Sequence, residues 1–213
     1  RLPLLGRWGL SLASNIPPLG EAAAAIVRHG SLAQARRFIA GTNVDEVLAT
    51  AERERKLGRT FTLDLLGEAV TSDAEAMSYQ AAYQKMLDEL CPRVNAWPEV
   101  PQLDRDSRGP LPRVNVSIKL SALDARFDAI DPAGTLERVG ARLRPLLRTA
   151  MKHRAHLHLD MESYAAKDLT LWIARTIFME PEFRDYPHFG VVIQCYLREA
   201  ERDLRDLQAW AVE

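Results

Sequence analysis

Short runs in which apolar and polar residues alternate recur four times along this chain, and helical stretches separate them. The runs cover residues 61–68, 114–121, 156–163 and 191–196. Alternation of this kind is typical of a β-strand whose two faces meet different surroundings. Because strands that are separated by crossover helices form parallel sheets with both faces covered, the polar faces are predicted to point into an enclosed space.

The polar face of each predicted strand carries groups that a buried strand would not hold without a reason. In the second run Val116 and Ile118 share one face, whereas Lys119 lies on the other. The polar faces of the other runs carry Thr62, Asp64 and Glu68, then His156, His158, Asp160 and Glu162, then Gln194 and Tyr196. A barrel whose strands bring Asp64, Lys119, Asp160 and Gln194 to one mouth is the simplest enclosure that fits this pattern.

Helical periodicity dominates residues 1–58, which we predict to form a helical arm before the sheet. Gly30 is expected to break this arm, and Asn43 is expected to cap its last helix. The predicted helices cover residues 21–28, 32–39 and 44–56.

Residues 59–213 are predicted to hold four strand-helix units. Ser72 and Glu75 fit a capping box that begins the first helix, and Asp168 precedes the third. Residues 93–113 are rich in proline and lack periodicity, so they are expected to form a long loop or an insertion. A closed eight-unit barrel needs ~250 residues, so the prediction is the first half of a (βα)8 barrel, truncated after its fourth unit.

Composition narrows the classes of function. The chain has 213 residues, of which 47% are hydrophobic, and a formal net charge of −1. No cluster of Lys and Arg is interleaved with aromatic residues, which argues against a nucleic-acid partner. The cysteines Cys91 and Cys195 cannot form a disulfide framework and suit a reducing, cytoplasmic location. No run reaches the ~18 apolar residues of a membrane span, and we recognise no signal peptide.

Lys119 is the strongest single indication of chemistry, because an ammonium group is seldom buried unless it is paired or binds an anion. It is predicted either to bind a substrate carboxylate or to form a structural ion pair with Asp64 or Asp160. Gln194 offers a donor and an acceptor together, which suits the edge of a planar heterocycle or a buried hydrogen-bond network. His156 and His158 leave open a zinc site that also uses Lys119 and Asp160.

Five motifs, in this order along the chain, resemble the proline dehydrogenase family. They are RFIAG at 37–41, FTLDLLGEA at 61–69, VSIKLSAL at 116–123, LDMES at 159–163 and VIQCYLR at 192–198. The resemblance covers roughly residues 36–205. It extends both to stand-alone bacterial enzymes and to the dehydrogenase part of bifunctional proline utilization A proteins, in which an aldehyde dehydrogenase domain follows.

The resemblance implies a distorted barrel that holds FAD and oxidises L-proline to 1-pyrroline-5-carboxylate, the first step of proline catabolism to glutamate. Electrons would pass to a quinone, with peripheral contact at the inner membrane. By the same resemblance, Lys119 would bind the substrate carboxylate and Asp160 would be the active-site acid group. Met161 would contact the flavin, through its backbone because alternation places its side chain on the other face. Gln194 would bond the pyrimidine ring, and Asp64 matches a family aspartate.

Part of the family's site lies outside this sequence. An arginine on the fifth strand, the later flavin-phosphate contacts, and a tyrosine with paired arginines on the final helix have no counterpart here, so we expect these residues alone to be inactive. Two other functions stay open at this point. One is a metal-dependent barrel hydrolase that uses His156, His158, Lys119 and Asp160, and the other is a non-enzymatic half-barrel module.

Overall fold

The computed structural model describes residues 17–35, 38–66 and 70–212. The chain divides into two units, residues 1–51 and 52–213. Outside the described residues lie positions 1–16 of the predicted arm, Arg37 of the RFIAG motif, and positions 67–69 of the second motif, which include Glu68.

The described part of the first unit is mainly helical. Helix α1 (Pro17–Ala35) runs through Gly30, so the predicted break at that glycine is wrong. One glycine costs a helix about 1 kcal/mol, and the alanines that precede Gly30 are the best helix formers. Helix α2 (Val44–Lys56) has the predicted bounds, and Asn43 caps it by accepting a hydrogen bond from the Glu46 backbone N–H at 3.0 Å.

The second unit alternates strands and helices around one main sheet. In chain order it holds β1 (Leu63–Asp64), α3 (Asp73–Asn95), α4 (Pro101–Asp104), β2 (Arg105–Asp106), β3 (Gly109–Pro110), β4 (Asn115–Ile118), a 3₁₀-helix (Leu120–Leu123), α5 (Pro132–His153), β5 (His156–Leu159), α6 (Tyr164–Phe178), β6 (Phe189–Val191) and α7 (Ala200–Trp210). Within the ranges that the structure describes, none of the helices is both long and apolar enough to cross a bilayer.

Strands β1, β4, β5 and β6 lie side by side in that order, and each neighbouring pair is parallel. The parallel α/β fold that the alternation predicted is therefore confirmed. The apolar face holds Val116, Ile118, Leu157 and Leu159, all with no exposed surface, and α5 packs against β5. The opposite face is polar and more open, and it carries the candidate chemistry.

The strands are shorter than the predicted runs and cover residues 63–64, 115–118, 156–159 and 189–191. Two of the altered boundaries, one of a strand and one of a helix, have a clear physical reason. Strand β6 ends at Val191 and does not continue to Tyr196, because β5 itself ends and the Val192 N–H makes its bond to the Leu159 carbonyl at 2.9 Å. Helix α6 begins at Tyr164 and not after Asp168, because Ser163 caps it by accepting from the Ala166 N–H at 3.3 Å.

The proline-rich stretch 93–113 is more ordered than a loop. Helix α3 continues to Asn95, and α4 is followed by the β2–β3 hairpin. The Asp106 carboxylate holds the hairpin turn by accepting the N–H groups of Arg108 at 2.8 Å and Gly109 at 3.0 Å. Gly109 has a φ of 133°, which favours glycine. Of the two alternatives that the sequence left open, an insertion with short elements of its own agrees with the structure and a long loop does not.

A buried ion pair fastens this insertion to the end of α2. The Arg55 guanidinium donates to both Asp104 carboxylate oxygens at 2.8 Å, and the side chains are 7% and 3% exposed. Arg113 Nε lies 3.3 Å from the same carboxylate. The hydrogen bond from Arg55 is the main reason that the pKa of Asp104 is lowered. Because both side chains are buried, either partner alone would be an uncompensated charge.

Replacing Asp104 with Asn should therefore lower the free energy of unfolding by about 3–5 kcal/mol. The matched control is Glu182→Gln, since Glu182 makes a similar two-bond pair with Arg148 in which the side chains are 46% and 52% exposed. That change should cost at most about 1 kcal/mol. Urea unfolding measures both values, and equal losses would contradict the role of burial.

Candidate active site

Lys119 lies between two carboxylates at the carboxyl-terminal edge of the sheet. Its ammonium nitrogen is 2.6 Å from Asp64 Oδ2 and 3.5 Å from Asp160 Oδ2, and the residue is only 9% exposed. We call Asp64, Lys119 and Asp160 the charge cluster. The structural ion pair that the sequence left open is thus formed with both carboxylates at once.

The strand register explains why residues so distant in sequence meet. Asp64 of β1 pairs with Ser117 of β4, and Lys119 follows two residues later on the same face. Ile118 pairs with Leu159, which sets Asp160 beside Lys119 on the next strand. The Asp160 N–H continues the ladder by donating to the Ile118 carbonyl at 2.8 Å.

The charges of the cluster are complementary to those of an amino acid zwitterion. One ammonium group and two carboxylates give a formal charge of −1. Lys119 offers a cation to a ligand carboxylate, and the neighbouring carboxylates offer acceptors to a ligand amine. The structural pairing and the binding of an anion are therefore compatible, because Asp64 and Asp160 can stabilise the ammonium group until a ligand arrives.

Gln194 reaches the same edge from the segment after β6. Its Nε2 donates to the Met161 carbonyl at 3.1 Å, and the Met161 N–H donates to Asp160 Oδ1 at 2.8 Å. Among the described residues, Gln194 Oε1 is buried and meets no hydrogen-bond partner. The Met161 side chain is buried. Gln194 therefore presents a buried acceptor that a ligand N–H could satisfy.

The sequence did not predict the contact between Ser121 and Glu162. The Ser121 hydroxyl donates to Glu162 Oε1 at 2.6 Å, and its N–H donates to Oε2 at 3.4 Å. These residues follow Lys119 and Asp160 by two positions, so the contact joins the segments that carry the charge cluster. The signal available was their common place on the polar faces of the two predicted strands, although both residues lie beyond the ends of the observed strands.

Histidines lie on the same face, towards the amino-terminal end of the sheet. His158 Nδ1 is 2.9 Å from Asn115 Oδ1, and the His156 and His158 ring centres are 5.8 Å apart. Burial lowers the pKa of His156 to about 4, with help from His158 and His188. Across the described part of the chain, no three His, Cys, Asp or Glu side chains are grouped as a metal site requires, so the geometry does not support the zinc hypothesis.

Comparison with known proteins gives the family. The family model for proline dehydrogenase matches residues 47–213. The chain belongs to the proline dehydrogenase family. The resemblance to this family is thereby confirmed, and the match includes four of the five motifs. Membership also favours a dehydrogenase over the hydrolase among the functions that the sequence left open.

Individual relatives agree with this assignment. A crystal structure of proline utilization A (PutA) from Bdellovibrio bacteriovorus, inactivated by N-propargylglycine, matches with a TM-score of 0.86 and 38% identity, over 90% of this chain and 20% of that one. The bifunctional protein PutA of Escherichia coli (strain K12) is 28% identical over 75% of this chain and 11% of its own length. Proline dehydrogenase 1 of Bacillus subtilis (strain 168) is 26% identical over 84% and 50%. The chain thus spans half the length of the Bacillus enzyme and a fifth or less of the two PutA proteins.

The lowered pKa of His156 predicts an acid-sensitive contribution to stability. Above pH 6.5, the ordinary pKa of histidine, the His156 imidazole is neutral in both the folded and the unfolded chain. Between pH 6.5 and about 4, the imidazole binds a proton in the unfolded chain but not in the folded one. Stability is therefore lost as the pH falls through this window. After allowance for partial exposure we expect a loss of about 1–2 kcal/mol.

The measurement is urea unfolding at pH 7 and pH 4.5. His156→Gln should reduce the loss of stability between the two pH values, whereas His29→Gln, at an exposed position of α1, should leave it unchanged. The same loss in the His156→Gln variant and the unaltered chain would contradict the assignment.

Proposed function

We propose that the protein carries out the FAD-dependent oxidation of L-proline to 1-pyrroline-5-carboxylate, the first step of proline catabolism to glutamate. The observation that carries the proposal is the position of Lys119 between Asp64 and Asp160 at the carboxyl-terminal edge of the strands. Active sites in barrels of parallel strands lie at this edge. Membership of the proline dehydrogenase family supports the reaction type.

In this proposal Lys119 binds the carboxylate of proline, and Asp160 faces the ring nitrogen. A carboxylate that binds the ammonium group takes the place of part of its bonding to Asp160, which is the longer contact at 3.5 Å. Asp64, at 2.6 Å, stays with Lys119 and fixes its position. The three residues thereby hold the substrate by both of its charged ends.

The residues of the edge fit a flavin. Gln194 Oε1 is a buried acceptor that would take the N–H of the flavin pyrimidine ring, and the Met161 backbone, held by Gln194 and Asp160, would lie against the ring. Bound FAD would supply the acceptor for the two electrons that leave with a hydrogen of the ring carbon next to nitrogen. Asp160 is placed to hold the proton that the nitrogen gives up as the C=N bond forms.

The proposal includes the rest of the architecture. The four parallel strands would be the first half of a (βα)8 barrel, with residues 1–58 as an arm and 59–213 as the partial barrel, and further strands would cover the polar face. A quinone would take the electrons at a peripheral membrane contact of a cytoplasmic protein, and an aldehyde dehydrogenase domain would follow in a PutA-like context. Family resemblance alone supports these last points.

The test uses the full-length gene product that contains these residues, loaded with FAD under anaerobic conditions. L-proline should bleach the flavin absorption, and L-alanine, which lacks the ring, should not. The 213-residue chain alone should show no turnover, because the barrel would be incomplete. A colourless gene product, or a flavin that L-proline does not bleach, would contradict the function, and turnover by the chain alone would contradict the half-barrel.

A further inference from the structure

A hydrogen-bonded pair, Asn115 with His158, lies beneath the charge cluster on the same face of the sheet. The register aligns His158 with Ser117, and Ser117 with Asp64. The imidazole therefore lies on the same face as Lys119 and Asp160, two residues towards the amino-terminal end of the strands. His158 is half-buried, and its Nδ1 is 2.9 Å from Asn115 Oδ1. Nothing in the proposed reaction yet uses this pair.

The contact fixes the tautomer of His158. The side-chain oxygen of asparagine only accepts hydrogen bonds, so Nδ1 must carry the proton, and in the neutral ring Nε2 keeps its lone pair. Burial lowers the pKa of His158, although the carboxylates of Asp160 and Asp64 act in the opposite direction. The ring is therefore neutral near pH 7.

The other strands add little that could reverse this state. His156 lies on the same strand, and the lowered pKa of that ring leaves it neutral as well. On β6 the aligned residue is Gly190, where a Cβ would lie 3.3 Å from His156 Nε2 and 3.5 Å from His158 Cβ. Glycine thus leaves room for both rings. Among the described residues, the charges that act on His158 are those of Asp160 and Asp64, and Lys119 lies between these two carboxylates.

A protonated His158 would change the charge cluster. A second cation on this face would attract the Asp64 and Asp160 carboxylates that now pair with Lys119, and it would repel the Lys119 ammonium group. The amine of a substrate would then compete with imidazolium for Asp160. A neutral ring leaves both carboxylates to Lys119 and to a ligand amine.

We propose that Asn115 and His158 form a positioning pair, in which the asparagine oxygen holds the imidazole by its Nδ1–H without adding an anion, so that Asp160 stays available to the substrate amine. This inference rests on the proposed proline dehydrogenase function. Asn115 acts through His158, and neither residue is required to touch the substrate.

The informative change is Asn115→Asp, which replaces the neutral acceptor by a carboxylate of the same shape. An anion at this distance should raise the pH midpoint of His158 by about 1–3 units. His158 would then be charged at neutral pH, and the KM for L-proline should rise about tenfold, with a smaller change in kcat. Above the new midpoint the KM should return towards the unaltered value.

The matched control is Asn95→Asp. Asn95 also uses its amide beside a histidine, donating to the His153 carbonyl at 3.0 Å, but it is exposed and lies at the end of α3. The Asn95→Asp variant adds the same charge to the protein, and it should leave both the KM for L-proline and the pH midpoint of His158 unchanged. An equal rise in KM with both variants would overturn the proposal.

Two quantities are measured on the flavin-loaded gene product, namely the KM for L-proline and the protonation state of His158. Nitrogen-15 NMR of labelled histidine, assigned with His158→Gln, reports the protonation of each ring nitrogen and needs no variant at Asn115. A neutral ring protonated at Nδ1 at pH 7 supports the proposal, whereas a charged ring or an Nε2-protonated one overturns it. An Asn115→Asp protein with charged His158 and unchanged KM also overturns it. Failure of the unaltered protein to oxidise L-proline instead rejects the underlying function.

Discussion

The architecture of the site depends on the burial of one ammonium group. Lys119 is 9% exposed, and an unpaired ammonium in such a position would be strongly unfavourable. Its contacts with Asp64 and Asp160 compensate for that burial only if three strands keep their register, because each partner comes from a different strand. The parallel sheet is therefore what allows the charge cluster to exist, and the cluster in turn requires that the strands stay aligned.

Other contacts support this arrangement from either side. Ser121 and Glu162 join the segments beyond the strands, and Gln194 joins the segment after β6 to the Met161 backbone. Away from the sheet, Arg55 and Asp104 fasten the insertion that precedes β4. Asp160 is thus held from both sides, by the strand ladder and by the Met161 N–H. A carboxylate fixed in this way can be oriented towards a substrate without losing its place when the ligand leaves.

Alternation along the chain was sufficient to predict the parallel sheet and the side on which Asp64, Lys119, Asp160 and Gln194 meet, because the direction of a side chain in a strand follows from its position. It could not predict where β6 ends, since that depends on the length of the neighbouring strand. It also missed the Ser121–Glu162 contact and the hairpin in the insertion. The Ser121–Glu162 contact joins segments that are distant in sequence, which no local pattern encodes. The hairpin turn is held locally by the Asp106 side chain, within a stretch whose prolines and lack of periodicity favoured a loop.

The central claim is that Lys119 binds the carboxylate of the substrate, and it is tested by removing each partner in turn. Rates of anaerobic flavin reduction would be compared for L-proline and for pyrrolidine, which lacks the carboxylate, in the gene product and in its Lys119→Met variant. We expect the variant to lose about 100-fold in kcat/KM with L-proline and far less with pyrrolidine. An equal loss with both compounds would show that Lys119 has only a structural role and would contradict the account.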